Sequence, residues 1–290
     1  MLDGIWSALA DPWSQAILQR AFAEVALLGV IGGALGSWIV LYELSYGAES
    51  LAHGLFPGLV IAALTGLPLL LGGVIGLAAA SLGIALVGRV PEIGRDTAVA
   101  VVVTTLFGLG ALLALSPASP PGIQGLLFGD VLAVTNLDLG LAAGLGAFVL
   151  CALVAMHSRL LAVGFDRSSA RQLGTSATAV EIGLLLLLAA AVLVAVQALG
   201  NLLVVALLIA PGAAARVVTR RMGPMMAVGA GIAIASGIMG LYLSYYGGVA
   251  AGASIALVLV LSYILIAGSR VVARRWPPPA PGSRGIPVRQ

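Results

Sequence analysis

Long apolar runs, broken only by short connections rich in Gly, Pro and Arg, set the pattern of this chain. A bilayer crossing by a helix needs about 20 mostly apolar residues. The runs predict segments near 21–42, 53–66, 67–88, 96–115, 137–156, 178–198, 200–217, 224–245 and 249–268. The fold class is therefore an all-α polytopic membrane protein with eight or nine transmembrane segments. The second and seventh segments are short and contain Pro57 and Pro211, so each is expected to be a broken or re-entrant helix. Interrupted backbone is tolerated inside a bilayer only where protein or a water-filled cavity satisfies it. That makes these two segments pointers to a translocation path. No internal repeat stands out.

Composition strengthens this picture. Of 290 residues, 61% are hydrophobic and 9% charged, against about 25% charged in soluble domains. Such a chain cannot cover a water-facing surface. All 14 basic residues are Arg, and they cluster as the positive-inside rule expects. The inside set is Arg89 and Arg95, Arg159 with Arg167 and Arg171, Arg216 with Arg220 and Arg221, and Arg270 with Arg274 and Arg275. The connections near 116–136, 199–201 and Tyr245–Gly248 carry none. The C-terminus is thus expected in the cytoplasm, and nine crossings would put the N-terminus outside. The expected layout is an interfacial segment at 1–20, a transmembrane domain at 21–268 and a disordered Pro-rich tail at 269–290. Spread arginines on short loops give no nucleic-acid surface, and no basic region with a cleavage site marks a removable signal peptide.

The absence of Lys excludes a phosphate-binding loop, so this chain does not hydrolyse ATP by that machinery. No Ser/His/Asp set and no HExxH motif is present. One cysteine, Cys151 in an apolar run, excludes an internal disulfide and reads as a buried thiol. One stretch carries chemistry: Glu49-Ser-Leu-Ala-His53-Gly-Leu-Phe-Pro57-Gly58. On a helix, residues four apart share a face. A carboxylate oxygen and an imidazole nitrogen aimed at one point suit a divalent transition metal. Burying them costs roughly 2.5–3.5 kcal/mol per charge on insertion scales, which marks an intramembrane pair as functional. Glu43 is a further candidate for the same vestibule. His157 reads as a solvated loop histidine, and Asp130 and Asp138 as hydrated interface groups. Two ligands make a weak site, but two copies meeting on a dyad would supply four.

The same stretch resembles the D-A-L-S-H-A-x-L-P-G signature of the permease subunits of ABC importers for zinc, manganese and iron, the ABC-3 metal permeases. Further stretches agree in order. Leu126–Leu132 resembles L-F-G-[ND]-I-L, Phe165–Gly174 resembles F-D-x-x-x-A-x-x-x-G, and Gly200–Arg216 resembles G-x-L-L-V-x-A-L-L-I-x-P-A-A-x-A-R. The likeness covers roughly 18–268. It implies a homodimeric permease of a bacterial cytoplasmic (inner) membrane whose copies each bind a cytoplasmic ATP-binding subunit, with an extracytoplasmic metal-binding protein delivering the ion. No permanent cofactor is implied. Glu49 and His53 match the family's Asp and His on the ion pathway, with Glu replacing Asp. Pro57, Asn201 and Pro211 fall in the matched pathway segments. Phe165, Asp166, Ala170 and Gly174 match the element that docks on the ATPase, in what is also the longest inside loop, about 157–177. The run Glu43–Ser50 resembles a zinc-assigned subgroup, so the expected cargo is Zn2+, with Mn2+ or Fe2+ as alternatives. The rival from another class is a secondary transporter using Glu49 as a relay. A membrane enzyme would need a polar cluster beyond Glu49 and His53.

Overall fold

The computed structural model describes residues 10–275 apart from 91, 93, 118, 120–122, 124 and 173. Residues 276–290 of the expected tail and 1–9 of the N-terminal segment lie outside the described residues, whereas 269–275 are helical. The long helices are α1 (Ala16–Leu41), α2 (Ser45–Thr65), α3 (Leu69–Val87), α4 (Arg95–Ala114), α5 (Asn136–Phe165), α6 (Ala177–Val218), α7 (Met222–Gly247) and α8 (Ala251–Arg275). Each holds a stretch long and apolar enough to cross a membrane, and Leu203–Val218 within α6 is a shorter apolar helix. The polytopic all-α architecture is as the hydropathy pattern predicts.

Helix α1 is the axis of the bundle. In its apolar window 72% of the residues are buried, against 22% for α3, α5 and α8, so those three present their flanks outward. What lets neighbours approach α1 so closely is the absence of side chains. Gly33 faces the backbone of Ala230 on α7, and Gly36 faces the carbonyl of Leu208 on α6. A Cβ at either position would lie inside the facing backbone. Small residues at helix contacts are the usual device in bilayers, where lipid supplies no hydrophobic drive for association.

Contacts along the helices fix their directions. Ile31 lies against Gly146, and Leu41 against Gly164, so α1 and α5 are parallel. Met156 lies against Gly183, so the first half of α6 runs antiparallel to α5. Leu207 meets Gly32 and Gly212 meets Gly36, so the second half of α6 runs parallel to α1. The two halves of α6 therefore run in opposite directions. The chain turns back at Gly200, whose φ of 72° and ψ of 160° are not helical. That region is essentially open to glycine alone. Counting both halves, the described residues make nine helical passes through the bundle, eight of them long and apolar enough to span a membrane.

The break thus sits at Gly200, not at the prolines. Pro57 and Pro211 are both inside continuous helix. A proline removes one N–H from the ladder. At Pro211 the carbonyl left without that donor, Leu207, lies against Gly32 of α1. The second segment also starts earlier than hydropathy predicts, at Ser45. Polar Ser45, Glu49 and Ser50 lower its mean hydropathy without stopping the helix.

With these directions, the described arginines other than Arg20 gather at one end of the bundle. Tyr42 OH donates to the Leu160 carbonyl there at 2.8 Å, and Arg270 donates to the Val218 carbonyl at 3.4 Å. At the far end Trp13 stacks on Phe22 at 4.2 Å and donates from Nε1 to Tyr242 OH at 2.8 Å. Residues 11–14 are thereby tied to the start of α1 and the end of α7.

Two local expectations change. His157 lies inside α5, its ring edge-on to Trp38 at 5.4 Å, because α5 continues to Phe165 instead of ending near 156. Cys151 is exposed on α5, not buried, since that face of the helix has no neighbour.

Candidate functional site

Glu49 and His53 project from α2, one turn apart, in its first half. The helix continues through both, with Glu49 in its second turn and His53 one turn deeper. Their Oε1 and Nε2 are 3.8 Å apart, with the Glu49 side chain 50% exposed and that of His53 18% exposed. This separation is too long for a hydrogen bond but suits a shared cation. An ion about 2.1 Å from each atom in tetrahedral geometry would place them roughly 3.4 Å apart. A rotamer adjustment of a few tenths of an ångström closes the difference.

Two other elements frame the imidazole. Phe107 of α4 lies against its face, with ring centroids 4.5 Å apart, and Phe56 packs on Phe107 at 5.5 Å. Asn201, fully buried, brings Nδ2 to 3.0 Å from His53 Nδ1. Asn201 is the first residue after the reversal at Gly200, so that one glycine delivers the amide to the ring. The reversal is itself covered by Gly129, whose α-carbon abuts the backbone of Leu199 and Gly200. Pro57, buried one turn beyond His53, has no N–H to give the His53 carbonyl, and its own α-carbon lies against Gly110.

The other predicted residues divide. Glu43 lies exposed in the turn between α1 and α2, with φ of 58°. It is at the arginine end and does not join the pair, because helix α2 carries His53 away from it by ten residues, about 15 Å. Pro211 is in the α1 seam, ten residues beyond Asn201, and likewise does not reach the imidazole. Among the described residues no third His, Cys, Asp or Glu completes a metal-binding group.

At the arginine end, the connection from α5 to α6 is shorter than 157–177. It runs 166–176 and contains the short helix Arg167–Gln172. Asp166 accepts from the N–H of Ser168 at 2.9 Å and from its hydroxyl at 2.7 Å, holding the start of that helix. Ala170 is buried at 1%, anchoring it to the core, and Gly174 has φ of 76°. Phe165 is 74% exposed. The four residues thus build an anchored hook that presents an aromatic ring outward.

The sequence reading missed Glu24. It is 1% exposed and its Oε2 has no hydrogen-bond partner. With Asp130, Asp138 and Gln197 it lines a cavity of about 900 Å3 whose walls include Leu69, Leu145 and Phe148. A lone acid inside a predicted span was the available signal. Asp138 is occupied in a capping box, its carboxylate accepting from Thr135 N at 2.9 Å and from Thr135 Oγ1 at 2.6 Å.

Comparison with known proteins places this arrangement. The sequence pattern of the ABC 3 transport family matches residues 14–269. The manganese transport system membrane protein MntC of Halalkalibacterium halodurans is 34% identical over 269 residues, covering 91% of this chain and 92% of that protein. The chelated iron transport system membrane protein YfeD of Yersinia pestis is 25% identical over 264 residues, covering 91% and 89%. The solved structure of PsaBC from Streptococcus pneumoniae in complex with Fab superposes with a TM-score of 0.83 at 26% identity, covering 90% of this chain and 95% of that one. The family match spans nearly the whole helix bundle: the chain belongs to the ABC 3 transport family and is a membrane permease subunit of that family.

Proposed function

We propose that this permease conducts a divalent first-row transition metal into the cell, with Glu49 and His53 as its ligands on the path. The observation that carries the reading is the pair itself. A carboxylate and an imidazole face one point from one helix turn, within a bundle otherwise almost free of charge. One oxygen and one nitrogen ligand, with no thiol, suit Mn2+, Fe2+ and Zn2+ alike. The resemblance of Glu43–Ser50 favours zinc. The names of the relatives favour manganese and iron, and because they rest on most of the chain we place Mn2+ first. A pair of ligands per chain binds loosely enough to release an ion, as conduction requires. A second copy of this chain on a dyad would raise the set to four, and the half-exposed Glu49 is free to meet it.

Transport is driven from outside the chain. We assign ATP hydrolysis to a separate ATP-binding subunit, seated at the arginine end, with that end and the C-terminus in the cytoplasm. The far end receives the ion from an extracytoplasmic metal-binding protein. Family membership removes the main support for a secondary transporter relaying through Glu49.

The Phe165 hook fits the coupling role. A large exposed aromatic at the end of α5, beside an anchored short helix, is the kind of side chain that carries interface energy. Phe165→Ala is expected to weaken binding of the ATP-binding subunit by about tenfold or more. Its own thermal unfolding should stay within about 0.5 kcal/mol of the parent, since the ring is exposed. Titration of the two subunits in detergent measures the first, and an unchanged affinity would remove the hook from the interface.

Reconstitution tests the whole reading. Co-expressed with its neighbouring ATP-binding chain, the permease is expected to purify as a complex and to take up Mn2+ into proteoliposomes in the presence of ATP. Unlabelled Mn2+ should compete best, Fe2+ next and Zn2+ least. A zinc-only competition profile overturns the order of metals, and uptake without any ATP-binding chain overturns the ABC mechanism.

A further inference from the structure

We propose that Asn201 is a positioning residue that decides which ring nitrogen of His53 carries the proton, and so makes Nε2 available to the ion. The inference rests on the reading of Glu49 and His53 as metal ligands, and adds a residue that acts through one of them.

Three observations carry it. Asn201 is fully buried, its amide nitrogen is 3.0 Å from His53 Nδ1, and its Oδ1 is buried without a hydrogen-bond partner. A carboxamide is two-faced: turned by 180° about its last bond, it offers an acceptor oxygen where it had offered a donor nitrogen. A neutral imidazole carries one N–H, and the partner of one nitrogen dictates the state of the other.

In the arrangement described, Asn201 N–H donates to Nδ1. The ring proton is then on Nε2, which faces Glu49 Oε1 at 3.8 Å. That nitrogen has no free lone pair, and the site is closed to metal. With the amide turned, Oδ1 accepts from Nδ1–H, and the Nε2 lone pair faces Glu49. This is the tautomer a metal-bound histidine adopts, its second nitrogen donating to an outer oxygen. The ring holds one proton in both arrangements: it leaves Nε2 to water and another arrives at Nδ1, so no net proton is released. Phe107 against the ring face, 4.5 Å away, restricts the alternative of turning the imidazole itself.

The residue type follows from the burial. A carboxylate in Asn201's place would be a charge fully out of water, whereas an amide is neutral and supplies donor and acceptor at one spot. An apolar residue would supply neither. Gly200 makes the placement possible, since it reverses the chain one residue earlier.

The test reads the tautomer directly. The chain has two histidines, so His157→Gln leaves His53 as the single imidazole. His157 packs on Trp38, away from the site. In nanodiscs, the 15N shifts of the labelled ring report Nδ1–H or Nε2–H. Zn2+ serves as a diamagnetic probe. The protein without metal is expected to show Nε2–H and the Zn2+-loaded protein Nδ1–H. Asn201→Leu should give a mixture of tautomers and bind Zn2+ about 10–100-fold more weakly. Asn201→Asp, which keeps an acceptor but loses the donor, should show Nδ1–H with or without Zn2+ and bind it near the parental affinity. A loaded state with Nε2–H overturns the inference without any variant. So does an Asn201→Leu protein with parental affinity and tautomer, or an Asn201→Asp protein as weak as the leucine one. His53→Ala separates the two layers: undiminished Zn2+ binding there sinks the ligand reading itself, whereas loss of binding with an inert Asn201→Leu sinks only the role of Asn201.

Discussion

Proteoliposomes carrying His53→Ala are expected to take up metal at least about 100-fold more slowly than the parent. Perturbing an outer partner of a ligand already costs about 10–100-fold, and here the ligand itself is removed. Alanine also leaves the buried Asn201 amide without its partner, at a cost of about 1–3 kcal/mol. His53→Gln separates the two effects. It keeps a hydrogen-bonding group near Asn201 but has no imidazole, so uptake should fall as far while thermal stability stays near the parent's. The complex with the ATP-binding chain should form in both variants, because the site is remote from the Phe165 hook. Uptake by His53→Gln within about twofold of the parent would take the metal path away from α2.

Gly200→Val is expected to be the second most damaging single change. Its φ of 72° with ψ of 160° is a conformation that side chains avoid, at about 1–3 kcal/mol, and β-branching places valine at the upper end. The same residue orders the site. If the reversal relaxes, Asn201 leaves His53 and the second half of α6 loses its seat against Gly32 and Gly36 of α1. Uptake should therefore fall by at least about tenfold even in protein that remains folded, because the outer partner of a ligand is lost. Thermal unfolding in detergent and uptake in proteoliposomes measure the two parts. A Gly200→Val protein with parental stability would show that the chain does not turn at this residue.

Much of the architecture was legible from hydropathy because lipid forces it. Every backbone group in the bilayer core must be satisfied within the chain, so an apolar run of about 20 residues has one conformation available. The pair Glu49 and His53 was legible for a related reason: acids and imidazoles inside such runs are costly and stand out against Leu, Val, Ala and Gly. The arginine groups, too, fall at one end of the helices as their spacing predicts.

Other features escaped because they depend on neighbours distant in sequence. Proline suggested breaks at 57 and 211, yet both helices continue, since proline's fixed φ is close to the helical value and each removes a single N–H from the ladder. Gly200 is one of 39 glycines, and nothing local distinguishes it from those that merely permit close packing. Glu43 looked like a companion of Glu49 by sequence distance, but the turn before α2 leaves it at the end of the bundle.

The amino-acid order alone determined the membrane-spanning helices and the acid–imidazole turn on α2, because helical periodicity and the exclusion of charge from lipid act on local sequence. Tertiary structure alone decided that the chain doubles back at Gly200 and that Asn201, 148 residues beyond His53, becomes its partner. That pairing arises from packing between α2 and the second half of α6, and no local propensity encodes which distant amide will reach the ring.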